Sequence, residues 1–249
     1  MLSWMKKKNA SQSTFTSIIA HDLRTPLSVI KWYTEILLDE DMGPLNEDQK
    51  QYLHTIESSN QKAIHLITSL LNVSRLELDT LSVSPEPLLF TSVIQEVLKK
   101  YESRIQSKNL ELSFLQEGDF YTLSFDKQIA LYLLSEILQN AITHSPSDTK
   151  LVVRLKGAPA LITYSVEDRG VGIKKEEQEY IGTKMFHGSN TTDETKGSGL
   201  GLYIVKMLLK KVGGTFVFSS EEGYGSTFTI TIPNISLSQK KGNAQIELA

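Results

Sequence analysis

Two hydrophobic patterns divide the chain. From Ser11 to about Leu81 the only proline-glycine break is Gly43-Pro44, and apolar residues on either side recur at helical spacing. That spacing predicts an antiparallel helical hairpin. In the second arm Leu53, Ile56, Asn60, Ala63, Ile67, Leu70 and Ser74 keep the three-four spacing of a bundle seam, with polar groups at Asn60 and Ser74. Two helices alone bury little surface. A second copy of the hairpin would cover the stripes, so a homodimeric four-helix bundle is expected.

At about 100° per residue, with Ile19 as zero, Leu23, Pro26, Ile30, Thr34 and Leu37 form one stripe along the first arm. His21 falls nearly opposite, on a face shared with Thr25, Ser28 and Trp32, and is expected to project into solvent. Pro26 removes a backbone hydrogen bond inside the helix and predicts a kink one turn after His21.

Ser82 to Pro87 (SVSPEP) reads as a short stiff linker. Beyond it, strands and helices alternate. Strands are predicted at Leu88–Phe90, Leu110–Leu115, Tyr121–Ser124, Leu151–Lys156, Leu161–Glu167, Thr215–Ser219 and Ser226–Ile232. Helices are predicted up to Arg104, from an Asp126 cap to about Thr143, and from Gly199 to Val212. A turn is expected at Gly157-Ala158-Pro159. The fold class is therefore multidomain α+β, a helical hairpin followed by an α/β sandwich with helices on one face of a mixed sheet. The expected domains are a hairpin at 11–81, a linker at 82–87, a sandwich at 88–233 and a loose polar tail at 234–249.

Composition narrows the chemistry. The 249 residues contain no cysteine, which excludes disulfides, thiol catalysis and cysteine-ligated zinc. With 26 basic against 29 acidic residues, nothing suggests a nucleic-acid partner. No apolar run approaches the roughly 20 residues of a membrane-spanning helix, so no membrane contact by this chain itself is expected. A cytoplasmic location is expected, with room for this to be part of a longer, membrane-anchored sensor.

Four motifs carry candidate chemistry. The first is His21-Asp22-Leu23-Arg24-Thr25-Pro26-Leu27, in which an exposed imidazole has a carboxylate beside it to fix its tautomer. The second is Glu136-Ile137-Leu138-Gln139-Asn140-Ala141, which puts Glu136 and Asn140 on one helix face, with oxygen ligands suited to Mg²⁺. The third is Asp168-Arg169-Gly170-Val171-Gly172, where an Asp able to accept from an amine meets glycines that permit close backbone approach. The fourth is Lys196-Gly197-Ser198-Gly199-Leu200-Gly201-Leu202, whose successive amides lead into a helix N-terminus and suit phosphate. Singly, each also has an ordinary meaning as a surface residue or a turn.

In this order, and followed by Gly225-Ser226-Thr227-Phe228, the motifs resemble the catalytic core of sensor histidine kinases. The first matches the phosphoacceptor box of the HisKA type, and the others match the ATP-binding boxes of the gyrase, Hsp90, histidine kinase and MutL superfamily. The resemblance covers roughly residues 11 to 232. It implies a Bergerat-type ATP-binding sandwich and an ATP-dependent autokinase with Mg²⁺. By that resemblance His21 is phosphorylated, Asp22 manages its proton, and Thr25 holds a water for the reverse hydrolysis. Asn140 and Glu136 stand at the metal, Asp168 reads adenine beside Gly170 and Gly172, and phosphates sit at Gly197, Gly199, Leu200 and Gly201. The segment 173–196 becomes a lid over ATP, with Met185 or Phe186 at its aromatic position and Lys184 where an Arg is common.

The implied partners are a second copy of the chain and the receiver domain of a response regulator, with phosphatase activity toward that regulator. Thr143 stands where a Lys or Arg often follows the Asn. That departure motivates an alternative, a kinase-weak phosphatase or docking scaffold of the same signalling system. An ATPase clamp without phosphotransfer is a further alternative, against which the His21 box argues.

Overall fold

The computed structural model describes residues 20, 22–39, 42–119, 121–191, 197–234, 246 and 248. His21, Ile19 and Lys196 lie outside the described residues, as does most of the expected tail. Two compact units divide between Asp79 and Thr80.

The first unit is a helical hairpin of α1 (22–38) and α2 (Glu47–Glu77). Asn46 starts α2 with a reciprocal cap: its Oδ1 accepts from the Gln49 amide at 2.8 Å, and the Gln49 side chain accepts from the Asn46 amide at 2.9 Å. Glu47 and Asp48 add negative charge to the first turn. Midway along, Asn60 Nδ2 donates to the Leu27 carbonyl at 2.9 Å, which ties the register of the two arms. The helix continues through Pro26.

Burial separates the stripes into two heptad rows. Ala20 and Thr34 are buried and Leu27 is half-buried, whereas Leu23, Ile30 and Leu37, in the adjacent row, stay exposed. In α2 the row of Leu53, Asn60, Ile67 and Ser74 is covered or half-covered, while Ile56 and Leu70 are open. The sequence stripe placed Thr34 in the same set as Leu23, Pro26 and Ile30; within one chain only Thr34 of these is buried. One neighbouring helix can cover one row, and the second row stays outside. Buried Thr34 satisfies its hydroxyl on the Ile30 carbonyl at 2.7 Å.

The second unit is a two-layer sandwich. Its elements in order are β1 (Glu86–Leu89), α3 (Phe90–Ser107), β2 (Glu111–Glu117), β3 (Thr122–Phe125), α4 (Lys127–His144), β4 (Lys150–Ala158), β5 (Leu161–Glu167), α5 (Gly201–Val212), β6 (Thr215–Glu221) and β7 (Gly225–Pro233). The main sheet has the order β2-β4-β5-β7-β6; β2 and β4 run parallel and the other neighbours antiparallel. β1 and β3 form a separate antiparallel pair. In β4, β5 and β7 alternate residues such as Val153, Tyr164, Val166, Phe228 and Ile230 are buried, as one covered face requires. α4 and α5 pack on the sheet, and α3 packs on α4. α4 is buried over most of its circumference, from Ile129 to Ile142, because it lies between these neighbours.

Other details depart from the sequence reading: β1 starts at Glu86, inside the expected linker, and Phe90 opens α3 instead of ending a strand. β4 runs through Ala158, so the turn falls at Pro159 and Ala160. Gly157 is a strand residue, and the backbone of Gly118 approaches its carbonyl so closely that a Cβ on Gly118 would overlap it. In the tail, Ile246 is buried. No helix among the described residues is long and apolar enough to cross a membrane.

Buried Asp126 joins two parts of the sandwich. Its Oδ1 caps α4 through the Ile129 amide at 3.1 Å, and its Oδ2 accepts from the Ser84 amide of the incoming segment at 2.8 Å. Replacing it by Ala removes a cap and leaves a partly buried amide unpaired. Asp126→Ala is expected to lower unfolding stability by about 2–3 kcal/mol in a denaturant titration. A loss below about 0.5 kcal/mol would show that this junction contributes little.

Candidate nucleotide site and phosphoacceptor helix

The candidate cleft in the sandwich is built where β5, α4, α5 and the start of β7 meet. Asp168 follows the last residue of β5 and is 3% exposed. Its Oδ1 accepts from the Gly170 amide at 2.8 Å and from the Ser226 amide at 3.2 Å, and its own amide donates to the Ser226 carbonyl. Burial pushes its carboxyl up to about 6, against the lowering effect of the two amides. The last glycine box belongs to this setting. Gly225, at φ +118°, lets the chain pass where any Cβ would strike the Asp168 carbonyl. Gly170 likewise fits between its own Asp168 carboxylate and the His144 carbonyl at the end of α4.

Glu136 and Asn140 stand one turn apart on α4. Burial pushes the Glu136 carboxyl up to about 7, opposed by the charge of Lys100 and a hydrogen bond from Tyr132. Its Oε2 lies against the first residue of α5, so closely that a Cβ on Gly201 would overlap it. This contact joins two motifs that are 65 residues apart in sequence. The Asn140 side chain is half-buried and makes no hydrogen bond among the described residues. Among those residues no group of three His, Asp or Glu could hold a metal by itself. A lone amide oxygen with one acidic neighbour suits Mg²⁺, which keeps several waters and takes its other ligands from phosphates.

α5 begins at Gly201 with Leu200 as a buried N-cap residue, and neither a side-chain cap nor an acidic residue occupies its first turn. The positive pole at this end of the helix suits an anion. Gly199 has φ +67° and packs under Met185 and His187, whereas Gly197 is exposed and has open space beside its Cα. Gly172, at φ +65°, packs against the Glu221 carbonyl, and its own carbonyl accepts from Asn190 Nδ2 at 2.9 Å. The segment expected as a lid contains a 3₁₀ turn, Lys175–Tyr180. Phe186 packs on Tyr180 with ring centroids 5.7 Å apart, while Met185 is exposed at φ +59°. Lys184 lies over the Tyr203 ring at 6.0 Å.

The first helix of the sandwich, α3, and the residue after it also contribute, which motif reading missed. Arg104 Nη2 donates to Thr143 Oγ1 at 3.2 Å, bringing a cation to the position one turn after Asn140. Lys108 Nζ donates to the carbonyls of Ile142, Thr143 and Ser145 at 2.8, 3.0 and 2.8 Å, closing the C-terminus of α4. Burial, then the charge of Lys108, lowers the His144 imidazole from its ordinary value, which favours its neutral form.

On the hairpin, Asp22 and Thr25 are exposed on α1. Arg24, Thr25, Ser28, Val29 and Trp32 line a shallow groove of about 350 Å³, in which Trp32 is 59% exposed. That is the face assigned from helical angles. The imidazole at its head, His21, lies outside the described residues.

Comparison with known proteins defines the class. Residues 126–236 match the family described as histidine kinase-, DNA gyrase B- and HSP90-like ATPases. Residues 11–79 match the His Kinase A (phospho-acceptor) domain. The chain belongs to the sensor histidine kinases, with a phosphoacceptor domain followed by a Bergerat-fold ATPase domain. It is 31% identical over 232 residues to the non-motile and phage-resistance protein of Caulobacter vibrioides, covering 90% of this chain and 27% of that protein. The chain thus spans 27% of that relative's length, and 31% of that of the aerobic respiration control sensor ArcB of Escherichia coli, to which it is 30% identical over 96% of its own length. Its fold resembles full-length ShkA crystallised with AMPPNP, with a TM-score of 0.69, 20% identity, and coverage of 94% of this chain and 47% of that one.

The raised Asp168 carboxyl has a consequence for stability. A carboxyl near 6 when folded, against about 3.9 when unfolded, holds its proton more tightly in the folded state. Its favourable contribution is complete below about pH 4 and is lost as pH rises through about 6. Asp168→Asn is therefore expected to stabilise the ligand-free protein by about 1–3 kcal/mol at pH 8 and by little at pH 4, in urea titrations at both values. Equal effects at the two pH values would contradict the assigned burial effect.

Proposed function

We propose that this chain transfers the γ-phosphoryl group of ATP to His21 and passes it to an aspartate of a response regulator receiver domain. The observation that carries the reading is the polarity along α4: the desolvated carboxylate of Asp168 by its His144 end, where Gly170 packs, and the N-terminus of α5 by Glu136, with Asn140 between. One end suits an amine on a flat base and the other suits a polyphosphate. ATP presents both.

In this reading Asp168, with Oδ1 already held by two amides, uses Oδ2 to accept from the exocyclic amine of adenine, while Gly170 and Gly172 keep the wall flat. The backbone around Gly197, Gly199, Leu200 and Gly201 binds the phosphates, and the segment carrying Phe186 closes over them. Asn140, with Glu136 one turn behind it, holds Mg²⁺, which would neutralise charge on the transferring phosphoryl group. Most of the acceleration then comes from positioning.

His21 attacks as a neutral imidazole. A nitrogen–phosphorus bond forms as the bond to the bridging oxygen of ADP breaks, and Asp22 receives the proton of the other ring nitrogen. Thr25 positions water for hydrolysis of the phosphorylated regulator. The groove beside Trp32 supports docking of a receiver domain. So does the fold's likeness to the kinase ThkA, solved in complex with the response regulator TrrA, at a TM-score of 0.61 and 21% identity over 92% of this chain and 64% of that one. The open rows of Leu23, Ile30 and Leu37 on α1 and Ile56 and Leu70 on α2 support a homodimer, since a second hairpin would cover them.

The alternative of a kinase-weak phosphatase or scaffold drew its force from the missing cation at Thr143. Arg104 beside Thr143 weakens that motive. Labelling decides between them. With Mg²⁺ and γ-labelled ATP, the protein is expected to acquire acid-labile, alkali-stable label that His21→Gln abolishes. Label that survives in His21→Gln defeats the mechanism. Absence of label, with intact dephosphorylation of a phosphorylated regulator, would establish the alternative.

A further inference from the structure

An anion site made of backbone has a requirement that glycine alone does not meet. Each peptide carries a carbonyl as well as an amide, and in a planar trans peptide the two point in opposite directions. A loop offers its amides to phosphate only if its carbonyls are turned away and given other partners.

Two carbonyls of the loop before α5 have such partners, both from the lid segment. His187 Nε2 bonds the Gly197 carbonyl at 2.7 Å. A carbonyl only accepts, so Nε2 carries the proton and donates. The Met185 amide donates to the Gly199 carbonyl at 3.0 Å. Packing enforces the same approach: a Cβ on Gly199 would lie 2.7 Å from the Met185 carbonyl carbon and 2.9 Å from His187 Cε1. Met185 itself sits at φ +59°, a conformation disfavoured for its side chain and retained where the surroundings demand it. The same short segment also grips the other glycine loop, through Asn190 Nδ2 on the Gly172 carbonyl.

We propose that His187 is a positioning residue of the phosphate site: by holding the Gly197 carbonyl toward the lid, it aims the following amide, Ser198 N–H, away from the lid for phosphate. The assignment rests on the nucleotide reading above and adds to it a side chain that touches neither adenine nor metal. It also gives the glycine at 197 a reason that sterics do not, because its free side allows the peptide to be turned by a partner.

Binding of Mg·ATP and of adenosine by calorimetry, on the full chain, tests the assignment. His187→Ala is expected to weaken Mg·ATP about five- to tenfold, as loss of one oriented hydrogen bond implies, and to leave adenosine within about twofold. His187→Gln keeps a donor on a comparable reach and is expected to recover most of the loss, whereas His187→Phe keeps the ring without the donor and is not. Unchanged Mg·ATP affinity in His187→Ala, a parallel loss of adenosine, or rescue by Phe rather than Gln would each overturn the role of His187. Failure of the wild-type protein to bind either ligand would instead overturn the nucleotide reading, and this assignment with it.

Discussion

The cleft depends on keeping carboxylates out of water in a place meant for a polyanion. Asp168 and Glu136 are both pushed up by burial, to about 6 and about 7, and both stand beside glycines on which a Cβ would overlap them. Desolvation makes Asp168 a strong acceptor for any amine that replaces the lost water. At Glu136, close to the loop assigned to phosphates, the same desolvation is opposed only in part. Lys100 and Tyr132 oppose it from the side of α3 and α4, and the first turn of α5 lies against the carboxylate itself. The α4–α5 contact therefore does more than pack two helices. It sets the distance between the amide of Asn140 and the amides that begin α5.

Much of this was legible because the motifs are made of residues whose types are dictated locally. The Asp168 to Gly172 loop was readable since only glycine tolerates the approaches of His144 and Glu221, and the strand before it alternates plainly. The Asp126 cap was readable from its place before an apolar helix. The hairpin was readable by period, yet its burial was not. A three-four stripe does not say which heptad row meets the chain's own second arm and which remains open. Thr34 and Leu37 looked equivalent along the helix and proved different across it.

The unreadable parts share one cause: they are cross-strand or cross-helix partners with no motif of their own. Arg104 looks like an ordinary surface arginine on α3 until the fold brings it to Thr143. Lys108 looks like a helix-end lysine, and it closes the end of a different helix. The absence of a cation at 143 was a correct reading of the sequence and an incomplete reading of the site, because charge at a point in space need not come from the nearest residue in the chain. The turn at Pro159 was misplaced for a similar reason. Gly157 resembles a turn glycine, but it lies within β4, and its carbonyl is what Gly118, just after β2, must approach without a side chain.

The lid extends this logic. A segment with little apolar pattern would ordinarily be held by few contacts and respond to its ligand alone. Here its partners are the carbonyls of Gly172, Gly197 and Gly199, the backbone assigned above to the nucleotide. Lid and loop cannot then change conformation independently: releasing the lid frees those carbonyls to rotate, and rotated carbonyls would face phosphate with the wrong charge. Coupling of this kind needs no long-range pathway. It follows from peptide planarity, which makes the orientation of each carbonyl and of the next amide a single variable. The glycines permit that variable to move, and the lid's donors determine where it rests.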